Sequence, residues 1–168
     1  MSHGPRYRVK PRRRREGLTD YRIRLELLKS RKIRLVVRKS LKYTNLQFVE
    51  YKEIGDNILI SANSKELSKK YNWKHSTSSI PAAYLTGIIA GKKALDKGIK
   101  ECVLDIGRYS PVKGSKVFAA LKGVVDAGVN CPFNDDRVPN DERLSGKHIN
   151  KDIENDLKKI KTNILGGK

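Results

Sequence analysis

Apolar positions are nearly missing from residues 1–17, where only Met1, Tyr7 and Val9 interrupt a polar run that also carries Pro5 and Pro11. A segment with so little to bury predicts an extended arm. Helical periodicity begins just after it. Tyr21, Leu25 and Leu28 recur at i, i+4, i+7 behind Thr19, which predicts a short capped helix over 20–30 with Arg22, Arg24 and Lys29 off the apolar stripe. The period then changes to two. In "IRLVVRK", Ile33, Leu35 and Val37 alternate with Arg34, Val36 and Arg38. "LQFVEY" and "NILISA" follow across short polar links, the second marked by a Gly55-Asp56 turn. Short links between consecutive strands predict an antiparallel meander over 33–63.

The polar stretch "SKELSKKYNWKHSTSSI" has room for a short turn of helix. Pro81, with Ser79 as cap, opens a long helix to about Leu95, with Tyr84, Ile88, Gly91 and Leu95 as its stripe and Gly98 as its stop. "ECVLDI" reads as a short apolar strand. "GSKVFAALKGVVDAG" reads as a second helix, with Val117, Leu121 and Val124 on one side and Gly128 as its stop. Gly87 and Gly91 form a GxxxG that predicts close packing against the sheet. After Cys131 the chain is loop-like, and it ends in a helix whose Ile153, Leu157, Ile160 and Ile164 share one face. Acids at the start of that helix and lysines later complement its dipole. The order βββ-α-β-α predicts an α/β (α+β) fold, a mixed sheet with helices packed on it. Three regions follow: a basic arm and short helix at 1–31, a core domain at 32–130, and a loop with a C-terminal helical extension at 131–168.

Charge changes this picture most at the front. The 168 residues carry a net charge of +19, and residues 1–43 hold 16 Lys/Arg against 3 acids, leaving 21 against 15 for the remainder. A folded domain is somewhat destabilised by such a run, so its neutralisation must come from outside the chain. Cys102 and Cys131 lack CxxC spacing, and no signal-like apolar run precedes residue 18. The expectation is a soluble, intracellular protein whose buried thiols stay free rather than form a disulfide.

Enzyme chemistry finds little support. The βββ-α-β-α order also occurs in ribonuclease H-like nucleases, which need several carboxylates converging on metal ions. The first strand contains no acid, and Asp105 is a lone candidate whose simpler role is to cap a turn or pair with an arginine. His3, His75 and His148 are scattered, no Cys/His cluster has ligand spacing, and no Walker-type loop occurs, so neither metal nor cofactor is expected. The basic run is too long for an import signal and lacks the bulky apolar face of a membrane binder. Nucleic acid explains its extent. The absence of a helix-turn-helix or zinc finger argues against DNA. RNA fits an irregular arginine-rich arm, with Tyr7, Tyr43 and Tyr51 available for stacking and Tyr21 expected in the core. At this level two readings stand: a structural RNA-binding protein, and a ribonuclease H-like nuclease with a basic substrate arm.

Longer phrases narrow the choice. "GPRYRVKPRRRREGLTDYRIRLELLKSRKIRLVVRKS", "PAAYLTGIIAGKKAL", "VLDIGRYSPVKGSKVFAALKGVVDAG" and "NDERLSGKHI" occur in that order. Over roughly residues 4–150 the chain resembles the large-ribosomal-subunit protein family that binds 5S rRNA, in its archaeal type. The resemblance implies a mixed sheet of the ribonuclease H-like, translational-machinery type and a non-enzymatic role in the ribosome of the cytoplasm. That role is to hold 5S rRNA and join it to the large-subunit rRNA at the central protuberance, beside neighbouring ribosomal proteins. It implies RNA contacts from the arm and short helix at Arg6, Tyr7, Arg8, Lys10, Arg12, Arg13, Arg14, Arg15, Arg22 and Arg24. Further contacts are implied along Arg31, Lys32, Arg34, Arg38, Lys39, Lys42, Tyr43 and Asn45, and at Ser110, Lys113 and Ser115 before the second helix. The segment 151–168 is short beside longer members of this type.

Overall fold

Alternation in Arg34–Lys39 (β1) sorts its side chains to two faces: Leu35 and Val37 are fully buried on one, and Arg34, Val36 and Arg38 line the other. In this computed structural model, which describes residues 4–166, β1 pairs antiparallel with Thr44–Glu50 (β2), and β2 with Asn57–Asn63 (β3). Val103–Asp105 (β4) lies parallel to β1 on its other edge, giving the order β3-β2-β1-β4. A parallel neighbour requires a crossover, and Lys65–Lys70 (α3) and Ile80–Asp96 (α4) supply it. His3, the first of the three scattered histidines, lies outside the described residues.

The Leu35/Val37 face is covered by α4 and by Lys116–Asp126 (α5), with Leu46, Phe48, Leu85, Ile88 and Leu121 in the core between them. Ser79 caps α4, its Oγ accepting from the Ala82 N–H at 3.3 Å. The Gly87/Gly91 pair faces α5, not the sheet. A Cβ at Gly87 would lie 2.1 Å from the Ala120 carbonyl oxygen, and one at Gly123 2.1 Å from that of Tyr84. The two helices therefore touch backbone to backbone. Leu95, expected in the α4 stripe, is exposed at its last turn.

The stretch after Cys131 is not all loop. It contains a 3-10 turn at Asp135–Arg137 and the short helix Asp141–Ser145 (α6), ended by Gly146 at φ 77°. Lys151–Gly166 (α7) buries the expected Ile153, Leu157, Ile160 and Ile164 in the same core, against α4. Polar ties fix its position. Lys161 Nζ donates to the Tyr84 hydroxyl at 2.7 Å, and His75 Nε2 lies 3.0 Å from Asp156 Oδ2. The Tyr84 hydroxyl donates in turn to Asp126 Oδ2 of α5 at 2.7 Å, so one phenol links three helices. Burial, and then the bond to Asp126, push that phenol above its usual range. No helix among the described residues is long and apolar enough to cross a membrane.

Candidate nucleic-acid interface

The sheet's second face is where the charge of the N-terminal region collects. Arg12–Arg15 (α1) form a single helical turn instead of continuing as extended arm, with the Arg14 and Arg15 N–H groups donating to the Pro11 carbonyl at 2.9 and 3.0 Å. Proline pre-sets the backbone for that turn. Arg13 Nε donates to Thr19 Oγ1 at 2.9 Å, which joins α1 to the start of Tyr21–Lys29 (α2). Thr19 is therefore not the cap of α2. Asp20 is, its Oδ1 accepting from the N–H groups of Arg22 and Ile23 at 2.9 and 3.3 Å. A second tie runs from Arg108 Nη1 to the Gly17 carbonyl oxygen.

The docked face of α2 also differs from the expected one. Arg24, Leu27 and Leu28 are half-buried, whereas Tyr21 and Leu25 point outward. Arg24 Nη2 sits 3.0 Å from both carboxylate oxygens of Asp56, beyond the far end of β2, and Ile23 and Leu27 line the cleft beside it. Tyr21, expected in the core, joins the exposed aromatics.

Beneath α2 runs a ladder of opposite charges. Arg34 is only 2% exposed and Asp105 only 7%. Arg34 Nη1 donates to Asp105 Oδ2 at 2.9 Å, and its Nη2 lies 2.8 Å from Asp56 Oδ2. Arg38 Nη2 reaches Asp105 Oδ1 at 3.2 Å, and its Nη1 donates to the Asp105 carbonyl at 2.9 Å. Burial opposes ionisation of Asp56, but the bonds from Arg34 and Arg24 outweigh it and hold the carboxyl below its usual range. Arg24, Arg34 and Arg38, expected to face RNA, each pair with a carboxylate of the fold, Arg34 buried and the other two partly exposed. Asp105, the lone catalytic candidate, is the counter-ion of two of them. A cleft of about 280 Å³ between α2 and the sheet includes Ile23, Arg24, Arg34, Val36, Gln47 and Ile58 in its lining.

The remaining cations face solvent. Arg6, Arg8, Lys10, Arg14, Arg15, Arg22 and Arg31 are exposed, and among the described residues none of them has a carboxylate at ion-pair distance. Tyr7 is exposed among them. Arg12 has one loose partner, Glu16, at 3.8 Å. Lys32 is instead held by Glu101 at 2.6 Å, and that hydrogen bond raises its ammonium above the usual value.

A second basic surface forms at the far end of β1. The β1–β2 hairpin closes over Leu41-Lys42, with the Ser40 N–H donating to the Tyr43 carbonyl at 2.8 Å and the Tyr43 N–H to Ser40 Oγ at 2.9 Å. Tyr43 and Asn45 are half-buried on this fixed turn, and Lys42 is exposed. Lys39 Nζ lies 5.1 Å from the centre of the Tyr109 ring, whose hydroxyl donates to the Lys39 carbonyl. That contact brings the 107–115 loop alongside the hairpin, with Ser110 and Lys113 exposed and Ser115 preceding α5. Lys116 belongs to this surface too. Its Nζ donates to Ser78 Oγ at 2.7 Å, and burial followed by the nearby Lys39 charge lowers its ammonium below the usual value. Sequence reasoning missed Lys116, although its place directly after a Gly-Ser helix start was a usable signal.

Two separated cationic surfaces lie on one α/β scaffold, the charge pattern of a nucleic-acid-binding protein, and among the described residues no group of His, Cys, Asp and Glu could hold a metal ion. Comparison with known proteins agrees. Residues 5–100 match the family described as "Ribosomal large subunit proteins 60S L5, and 50S L18". The large ribosomal subunit protein uL18 of Aeropyrum pernix is 52% identical over 149 residues, 89% of this chain and 70% of that protein. The large ribosomal subunit protein uL18 of Korarchaeum cryptofilum is 50% identical over 149 residues, 89% of this chain and 76% of that protein. The chain belongs to this ribosomal L5/L18 family: it is a structural protein of the large ribosomal subunit, located in the ribosome, and not an enzyme.

Proposed function

We propose that the protein binds 5S rRNA and joins it to the large-subunit rRNA at the central protuberance of cytoplasmic ribosomes, with neighbouring ribosomal proteins in contact around it. The observation that carries this reading is the division among its arginines. Arg24, Arg34 and Arg38 are paired with carboxylates of the fold, Arg34 in its interior and the other two partly exposed, while Arg6, Arg8, Lys10, Arg14, Arg15 and Arg22 are left exposed without carboxylates. Unneutralised cations along a narrow segment suit phosphates on closely spaced RNA strands. The hairpin and loop surface, with Lys39, Lys42, Tyr43, Asn45, Lys113 and Lys116, supplies a second contact, as joining two RNA molecules requires. In this reading the core is of the ribonuclease H-like, translational-machinery type, retaining that scaffold for binding alone.

The test is direct. Purified protein is titrated into labelled 5S rRNA and into an unrelated RNA of equal length, and a large-subunit rRNA fragment from the central protuberance is then added. Preference for 5S rRNA together with a ternary complex supports the proposal. Equal affinity for both RNAs, or binding that the second rRNA displaces instead of joining, refutes it.

A further inference from the structure

Two cysteines remain outside the RNA-binding account. Cys102 immediately precedes β4, and Cys131 follows the turn after α5; they are 0% and 3% exposed. The backbone places them side by side. Glu101 and Asn130 form a parallel bridge, in which the Asn130 N–H donates to the Lys100 carbonyl at 2.8 Å and the Cys102 N–H to the Asn130 carbonyl at 3.0 Å. In parallel pairing the next residues on each segment, Cys102 and Cys131, stand opposite one another with side chains on the same face. Paired neighbours lie about 4.8 Å apart, within the roughly 4.4–6.8 Å between Cα atoms that a disulfide spans. The thiols already interact. Their mutual hydrogen bond raises Cys102 and lowers Cys131; burial opposes the Cys131 thiolate, and a bond from the Leu104 backbone favours it.

We propose that Cys102 and Cys131 form an oxidisable pair that closes into an intramolecular disulfide, stapling the start of β4 to the segment leaving α5. The reaction is thiol–disulfide exchange with a low-molecular-weight disulfide. The Cys131 thiolate attacks one sulfur of the oxidant, forms a mixed disulfide and expels one thiolate. The Cys102 sulfur, on losing its proton, then attacks Cys131 Sγ and expels the second. The protein gives up two electrons and two protons, and the oxidant becomes two thiols. The closed bond would lie three residues from Asp105, holding in place the strand that anchors Arg34 and Arg38.

The experiment incubates the folded, full-length chain with oxidised glutathione, quenches it in denaturant with an alkylating agent, and reads intact mass and a non-reducing peptide map. The expected product is monomeric, lighter by two hydrogens, unalkylated, and yields one peptide linking Cys102 to Cys131. Its Tm should rise by roughly 5–10 °C, reversed by reductant. Cys131→Ser, and Cys131→Ala should the first variant not fold, should show neither the mass loss nor the rise. Two alkylated thiols after prolonged oxidation, a stable glutathione adduct, or a disulfide-linked dimer would each overturn the proposal.

Discussion

Arg34 of β1 and Asp105 of β4 form a buried ion pair, Nη1 to Oδ2 at 2.9 Å, on the sheet face opposite the core. The parallel register sets it: Asp105 pairs with Val36, so its carboxylate shares a face with Arg34 and Arg38. An arginine within a basic run is thereby paired inside the fold. Arg34→Met should leave the buried Asp105 and the exposed Asp56 with one cation fewer and lower stability by about 3 kcal/mol in urea unfolding. The salt dependence of RNA binding should not change. A shallower slope would place Arg34 on a phosphate.

Asp56 gives that network its pH dependence. Its carboxyl is held below the ordinary aspartate value in the folded chain, so folding favours the ionised form. The sign follows: the contribution is complete above the unfolded value and is lost as pH falls through the lower folded one. Asp56→Asn should therefore flatten the fall of stability below about pH 4 while costing stability at neutral pH. An acid limb identical to that of the parent protein would remove Asp56 from the account.

The glycine contact between α4 and α5 makes a different prediction. Gly123→Ala puts a methyl group 2.1 Å from the Tyr84 carbonyl oxygen, where backbone cannot give way locally. Overpacking of this kind costs about 3 kcal/mol. Thermal unfolding should show a Tm lowered by several degrees. Gly55→Ala, which meets nothing within 4 Å, is the control expected to stay near the parent value.

Much of this architecture was legible because it rests on local rules. The two-residue period of β1, the Ser79 cap and the aliphatic stripe of α7 each depend on neighbours a few residues apart. What escaped was long-range and electrostatic. Nothing near Arg24 indicates that Asp56, 32 residues on, will hold it on the side of α2 that faces the sheet. The same holds for Arg34, which reads as an exposed cation in any local window, although its partner Asp105 is 71 residues away. The cations expected to meet RNA therefore include both exposed, unpaired ones such as Arg22 and the buried, paired Arg34. The GxxxG was legible as a close contact, but its partner, a second helix, was not.

The C-terminal helix belongs to the core by the burial of Ile153, Leu157, Ile160 and Ile164. Leu157→Asp would bury a charge without a partner and should lower stability by roughly 3 kcal/mol or more. Circular dichroism melting of the purified variant reads this. An unchanged Tm would mean that α7 does not depend on that face.

The proposal that exposed arm cations neutralise rRNA phosphates, with the hairpin selecting the RNA, is tested most directly by one salt titration. Arg12, Arg13, Arg14 and Arg15 are replaced together by Ala in one variant, and Tyr43 and Asn45 by Ala in another; both are titrated with 5S rRNA and an unrelated RNA of equal length. The arm variant should bind both RNAs more weakly, with a salt slope reduced by about 0.7–0.9 for each phosphate that is no longer neutralised. The hairpin variant should keep its slope and lose preference for 5S rRNA, because stacking and base-edge contacts select where phosphate contacts only position. An arm variant with unchanged slope, or one that loses preference while the hairpin variant keeps it, would contradict the account.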